Sequence, residues 1–539
     1  MATTDDTESA RQLIATFTAL VEPASTRAAL AQWKLSTYAS PEAENEAAEA
    51  SVALARLYAD DATHAEAKRL HEAALSDPRI ARQVHLLYLG TLAYRRDPQT
   101  LERIVRLETE LEGAYSTYRG ELGTERLNEN QIREILRTEP CLERRRVAWE
   151  ASKAIGPLVA PRILELARLR NEVAKKLGYR DWFAMALSVD ELDEGWLFNL
   201  LDRLDEATQA PFTAEKARID AEASDWLKVP VEELMPWDYQ DVFFQEAPTT
   251  KATSIEHLMA DRDVAAAARS FYEDLGFGGE VAAIYDRSDL YPRENKSQHA
   301  FCTHIDRSGD VRILCNVAPS ERWLETTLHE LGHGIYDLGV DRSLPWLLRS
   351  PSHIFATEAI AMLMGRRARD PNFLRRYIGE RSAEEEVLDK ALLRRRMLML
   401  VRWVTVMTRF EQELYAEPVR EAAELGKIWW DLVERYQGVR RPAGDRPTDW
   451  ATKIHIALAP VYYQNYLLGE LAASQIEDAI VRTTGKPLVG NQDAAAFLRE
   501  RYFKPGASVR WDKLIEDATG SPLSPERFAG EFVTAGAQG

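Results

Sequence analysis

The sequence predicts a mostly α-helical protein with one small β element. Three observations carry that expectation. Apolar residues recur at three- and four-residue spacing, with charged faces between, over 8–22, 41–58, 98–118, 161–177 and 384–416. Proline and glycine are sparse and fall where these runs stop, in "SDPR" (76–79), "RDPQT" (96–100), "KVPVEELMPWD" (228–238) and "RRPAGDRP" (440–447). One place breaks the helical rhythm: "HAFCTHI" (299–305) and "VRILCNV" (311–317) are β-rich runs joined by the turn sequence "DRSGD". A hairpin is expected there, with Cys302 and Cys315 nearly opposite each other and buried as thiols rather than bridged.

The bulk numbers bound the function class. At 539 residues, 45% hydrophobic and 29% charged, the chain reads as globular, with enough length for a sizeable core. The Ala- and Glu-rich first 100 residues read on composition as a solvated helical layer, with a lid as the alternative. A net charge of −18 and the lack of a basic block make nucleic acid and anionic membranes poor partners. The most apolar run, "MLMLVRWVTVM" (Met397–Met407), is too short for a span and is read as a buried helix. The start, "MATTDDTESARQL", is acidic and lacks an apolar core segment, so no secretion signal is expected. The cysteines Cys141, Cys302 and Cys315 are too few and scattered for a disulfide framework. A reduced, cytoplasmic setting is expected.

Chemistry concentrates in "TTLHELGHGIYDLG", Thr326–Gly339. On a helix, His329 and His333 stand one turn apart on one face, so both rings reach one ion. Glu330 lies about 100° around the helix, near a water on that ion without ligating it. With ten histidines in the chain, this pattern arises by chance roughly 0.02 times per chain of this length. A catalytic zinc needs a third protein ligand. Downstream, "SHIFATEAIAMLMGR" (352–366) is an apolar helix with one acid, Glu358, on its inward stripe. Burying that carboxylate is costly unless a cation meets it. Zinc is one such cation; a salt bridge to an arginine such as Arg349 is the alternative. Two histidines and a distant glutamate define a gluzincin-type site.

A second constellation follows: "WWDLVERYQGVRRP" (429–442) and "DWATKIHIALAPVYYQNYLLGEL" (449–471). Together with the zinc helices it resembles the angiotensin-converting-enzyme family of zinc peptidyl-dipeptidases, the M2 peptidases, and their M3 oligopeptidase relatives. The shared pattern is Trp429/Trp430, Tyr436-Gln437-Gly438, Lys453/His455 and Tyr463/Tyr466. His299, 30 residues before His329, and "LLR" (347–349) before Glu358 fit it too. "LARLRNEVAKKLGYRDWFAMAL" (166–187) and "MPWDYQD" (235–241) resemble segments of the same group. The likeness is detailed over 295–470, diffuse before that, and matches nothing specific in roughly the first 120 residues.

The resemblance implies a two-lobed helical metallopeptidase with a deep central cleft and a β-hairpin or edge strand beside the zinc. It implies one catalytic domain over 1–539, with 295–470 as its active-site core and 1–120 as the lid or helical layer. His329, His333 and Glu358 would bind one Zn2+ per chain, and Glu330 would act as general base and then acid. Tyr466 and His455 would stabilise the oxyanion. Lys453 and Tyr463 would hold the substrate's terminal carboxylate, with Gln240 as a weaker candidate, and His299 and Ala300 would pair with the peptide backbone. His257, His304 and His353 are left as non-ligands.

Some positions depart from the family. The stretch from His455 to the tyrosines is one residue longer, so Tyr462 competes with Tyr463. Asn465 and Val433 replace two arginines that hold chloride, which implies activity independent of chloride. Met362 replaces the acid expected to orient a zinc histidine, and Gln298 replaces a cysteine. The expected function is hydrolysis of short peptides, removing carboxyl-terminal dipeptides, with no obligatory protein partner. An M3-like oligoendopeptidase, a non-catalytic peptide-binding protein and a hydrolase dedicated to one biosynthetic amide are the alternatives.

Overall fold

The computed structural model describes residues 4–249, 253–416 and 418–534. Helix makes up 70% of it, with two small two-stranded antiparallel sheets. The helical runs read from periodicity are present. Pro41–Tyr58 coincides with its run: Pro41 opens the helix and the Ser40 hydroxyl accepts the Ala43 N–H. Pro78 and Pro98 likewise stand in first turns, behind the capping carboxylates of Asp77 and Asp97. The first helix is longer than its run, Thr4–Thr37, because it continues through Pro23.

Met397–Met407 lies inside the helix Ala383–Tyr415, with Leu398, Val401, Val404 and Met407 fully buried. Among the described residues, no helix is long and apolar enough to cross a membrane.

The expected hairpin is Phe301–His304 paired with Val311–Leu314. Its register sets Cys302 against Ile313, so Cys315 lies two positions beyond the residue facing Cys302. All three cysteines are free thiols. A second hairpin, Gly120–Leu122 with Glu125–Leu127, went unread because each strand has only three residues.

The chain divides into two compact units. The first comprises Met1–Arg95, Ala252–Lys390 and Leu468–Phe528. Here the end of the first helix is bonded to the segment leading into the hairpin. The Ser297 N–H donates to the Ser36 carbonyl, the Ala39 N–H to the Asn295 carbonyl, and Arg293 to the Thr37 carbonyl, each at 2.8 Å. Trp33 meets Phe301 edge-on. The second unit comprises Arg96–Lys251, Ala391–Leu467 and Ala529–Gly539. Its core is aromatic, with Phe410 packed on Trp429 and Trp450, and Trp149 beside Trp430.

Three buried arginines follow the helix Ile354–Gly365 and tie the first unit together. Arg366 binds Glu470 and Ser474, Arg367 binds Asp370 and Glu477, and Arg369 binds Glu321 and Asp389. Removing one partner of such a pair strands a charge away from water. Arg366→Met is expected to lower the unfolding free energy by about 3–5 kcal/mol in denaturant titration. Lys486→Met, which breaks the exposed pair with Asp493, should cost under about 1 kcal/mol.

Candidate metal centre and substrate-binding residues

Two helices of the first unit build the centre. The helix Glu321–Gly339 starts where the Ser320 hydroxyl accepts the Trp323 N–H, and it carries His329, Glu330 and His333. The helix Ile354–Gly365 starts where the His353 imidazole accepts the Phe355 N–H, and it carries Glu358. His353 is therefore a cap, and His304 similarly accepts the Gly309 N–H. Neither belongs to the centre.

The helices meet at Gly332. A methyl group there would lie 2.7 Å from the Ala361 Cα, closer than van der Waals contact, so only glycine admits the approach. That approach brings three donors together. His329 Nε2 and His333 Nε2 are 3.2 Å apart, and Glu358 Oε2 is 3.6 Å and 3.8 Å from them. A circle through the three atoms has a radius of about 2 Å, the length of a zinc–imidazole or zinc–carboxylate bond. Among the described residues this is the one group of three or more such side chains placed to hold a metal. Arg349 donates to the Leu344 carbonyl and to Ser308 instead, so Arg349 is not the partner of Glu358.

Desolvation suits the donors to a cation. Burial lowers His329 to about 4, and burial with the neighbouring His329 holds His333 well below the usual imidazole range. Both rings are therefore neutral, as metal ligation requires. Burial, and then the charge of Glu358, push Glu330 up to about 8, opposed by the nearby backbone N–H of Cys302. Burial raises the Cys302 thiol well above its ordinary value, so it stays protonated and is no nucleophile. His299 and Ala300 lie just before the strand, which begins at Phe301. His299 is exposed and shares Ser297 through backbone bonds.

His333 is also held from behind. Its Nδ1 is 2.8 Å from the Thr357 hydroxyl, the residue before Glu358. The partner that Met362 does not supply is therefore one position N-terminal to the ligand.

The second unit carries the remaining expected residues. Lys453 is buried, and burial lowers its ammonium to about 8. Its Nζ donates to Gln245 Oε1 at 2.7 Å and lies 5.2, 5.4 and 5.6 Å from the ring centres of Phe243, Trp403 and Tyr463. No carboxylate among the described residues pairs with it within 4 Å. Both Tyr462 and Tyr463 meet Tyr466 edge-on, but it is Tyr463 that packs 5.0 Å from the His455 ring and has the Lys453 Nζ over its face. Tyr463 is thus the tyrosine beside Lys453. Gln240 is turned elsewhere, exchanging two hydrogen bonds with the Thr249 backbone.

The glutamine that meets Lys453 is Gln245, which the sequence reading missed. The Asp241 carboxylate aims it by accepting the N–H groups of Phe243 and Gln245 around a left-handed Phe244 (φ +53°). His455 is lowered to about 4, by burial first and by Lys453 next, and so is neutral. Val433 and Asn465 are buried where chloride-holding arginines stand in the resembled family.

A helical fold with two histidines on one helix and a glutamate from the next defines a gluzincin-type metal centre. The chain belongs to peptidase family M3, whose model matches residues 136–534. The model of the angiotensin-converting enzyme family matches residues 4–206. That match takes in residues 4–120, a stretch in which the sequence reading found nothing specific. An angiotensin-converting enzyme from Theromyzon tessulatum is 21% identical over 304 residues, covering 53% of this chain and 49% of that protein. The chain thus spans about half the length of that curated relative.

The glycine contact makes a direct prediction. Gly332→Ala should force the two helices apart and lower zinc retention at least tenfold in chelator competition, while circular dichroism stays helical. Gly279→Ala is the control, because a methyl group there meets nothing within 4 Å.

Proposed function

We propose that the chain is a zinc peptidase that hydrolyses short peptides and removes dipeptides from their carboxyl ends. The observation that carries this reading is the triangle of His329, His333 and Glu358 beside the buried Glu330. Zinc, when bound, supplies a Lewis acid that polarises the scissile carbonyl and makes water nucleophilic near neutral pH.

Glu330 takes a proton from the attacking water and delivers it to the leaving amine. The neutral His455 and Tyr466 donate to the developing oxyanion. His299 and Ala300, just before the hairpin strand, lie along the extended substrate and pair with its backbone. Lys453, Tyr463 and Gln245 receive the terminal carboxylate. A buried ammonium with no carboxylate against it favours an incoming anion. The uncharged Val433 and Asn465 support activity without chloride. The three free thiols support a cytoplasmic setting.

The family M3 match across the Lys453 segment favours a second reading, an oligoendopeptidase that cleaves inside short peptides. Amidating the substrate's carboxyl end separates the two: a peptidyl-dipeptidase loses turnover, and an endopeptidase keeps it.

Glu330→Gln should cut hydrolysis by about 10²–10⁴-fold while peptide affinity changes little, measured by turnover and by titration calorimetry. A second expectation follows from Lys453, which is charged below about 8 and neutral above it. Inhibition by N-acetyl dipeptides should weaken as pH rises through about 8. In Lys453→Gln that inhibition should be weak and flat with pH.

A further inference from the structure

Resting on the zinc-site reading above, we infer that Thr357 is the positioning residue of the metal centre, setting the ring of His333 through a neutral hydroxyl.

The inference starts from the ring's two nitrogens. His333 Nε2 faces His329 Nε2 at 3.2 Å and Glu358 Oε2 at 3.8 Å, so it is the ligating atom. A neutral imidazole whose Nε2 lone pair meets a cation carries its proton on Nδ1. Nδ1 lies 2.8 Å from the Thr357 hydroxyl, so Nδ1–H donates and Oγ1 accepts. That bond fixes both the tautomer and the rotation of the ring about its Cβ–Cγ axis.

Thr357 is well placed for this task. It is buried and stands in a helix turn beside Phe355, Ala356, Ala359 and Ile360, all fully buried. Its backbone is fixed by the same helix that holds Glu358. One turn of helix therefore presents a ligand to the metal and a brace to another ligand. The two histidines are not equivalent in this respect: among the described residues, no side chain bonds His329 Nδ1, so only His333 is braced. The usual partner behind a metal-binding histidine is a carboxylate or a carbonyl, which also makes the ring more basic. A hydroxyl orients the ring without adding negative charge. In this chain the one carboxylate among the three donors is Glu358.

The test is zinc affinity, read by competition with a chromophoric chelator in the full-length protein. Thr357→Val has the same shape without the hydroxyl and is expected to weaken zinc about 10–100-fold. Thr357→Ser restores the hydroxyl and should bind within about threefold of the parent. The metal-free forms of all three should melt together, which separates a lost brace from a damaged core. In the cobalt-loaded proteins, the visible spectrum of Thr357→Val should change and that of Thr357→Ser should match the parent.

Equal zinc affinity for Thr357→Val and the parent would overturn the inference. So would equal weakening in Thr357→Val and Thr357→Ser, since that implicates packing rather than the hydroxyl. A parent protein that binds no zinc overturns the zinc-site reading itself, an outcome distinct from either of these.

Discussion

The contact between Gly332 and Ala361 is the constraint on which the centre depends. Two helices that meet without a side chain between them place Glu358 within 4 Å of both imidazoles. One added methyl would separate them by more than a bond-length tolerance allows. The clamps outside the contact serve the same spacing. Arg369 ties the end of the carboxylate helix to Glu321 at the start of the histidine helix, and Arg366 ties it to Glu470. Gly469 adds a second close approach, since a methyl there would sit 3.2 Å from Glu358 Cβ. The centre is therefore held by packing and buried ion pairs before any metal enters.

Burial acts on each group of that centre in a direction that suits a cation. It keeps both imidazoles neutral, and it makes two nearby carboxylates expensive, raising Glu330. A divalent ion among the ligands opposes that rise, because its charge favours the ionised form. The same logic operates in the second unit. Lys453 sits among aromatic rings and an amide oxygen, with the charge of Asp241 acting on it but no carboxylate among the described residues paired to it within 4 Å. Both arrangements leave buried charge that an ion of opposite sign would stabilise.

Much of this was legible in the sequence because it is local. His329, Glu330 and His333 follow from helical spacing, and Glu358 follows from being the lone acid in an apolar helix. Pro41–Tyr58 is bounded by a serine cap and a first-turn proline, so its ends were readable. The limits were just as physical. Pro23 and Pro211 lie inside long helices that tertiary packing sustains, so a proline did not end them. Gln245 was missed because a left-handed Phe244 turns the loop, an effect no periodicity reveals. The influence of the Cys302 N–H on Glu330 comes from the backbone and leaves no residue signature. Thr357 was hidden in plain view: its neighbour Glu358 drew attention, while the absent acid at Met362 only said that a brace was needed somewhere.

The most direct test is the metal content of the purified protein, measured by native mass spectrometry for the parent chain and for Glu358→Gln. One zinc per parent chain, with the substituted protein largely metal-free, is the result this account predicts. A parent chain without bound metal, or a Glu358→Gln chain that retains zinc fully, would contradict it.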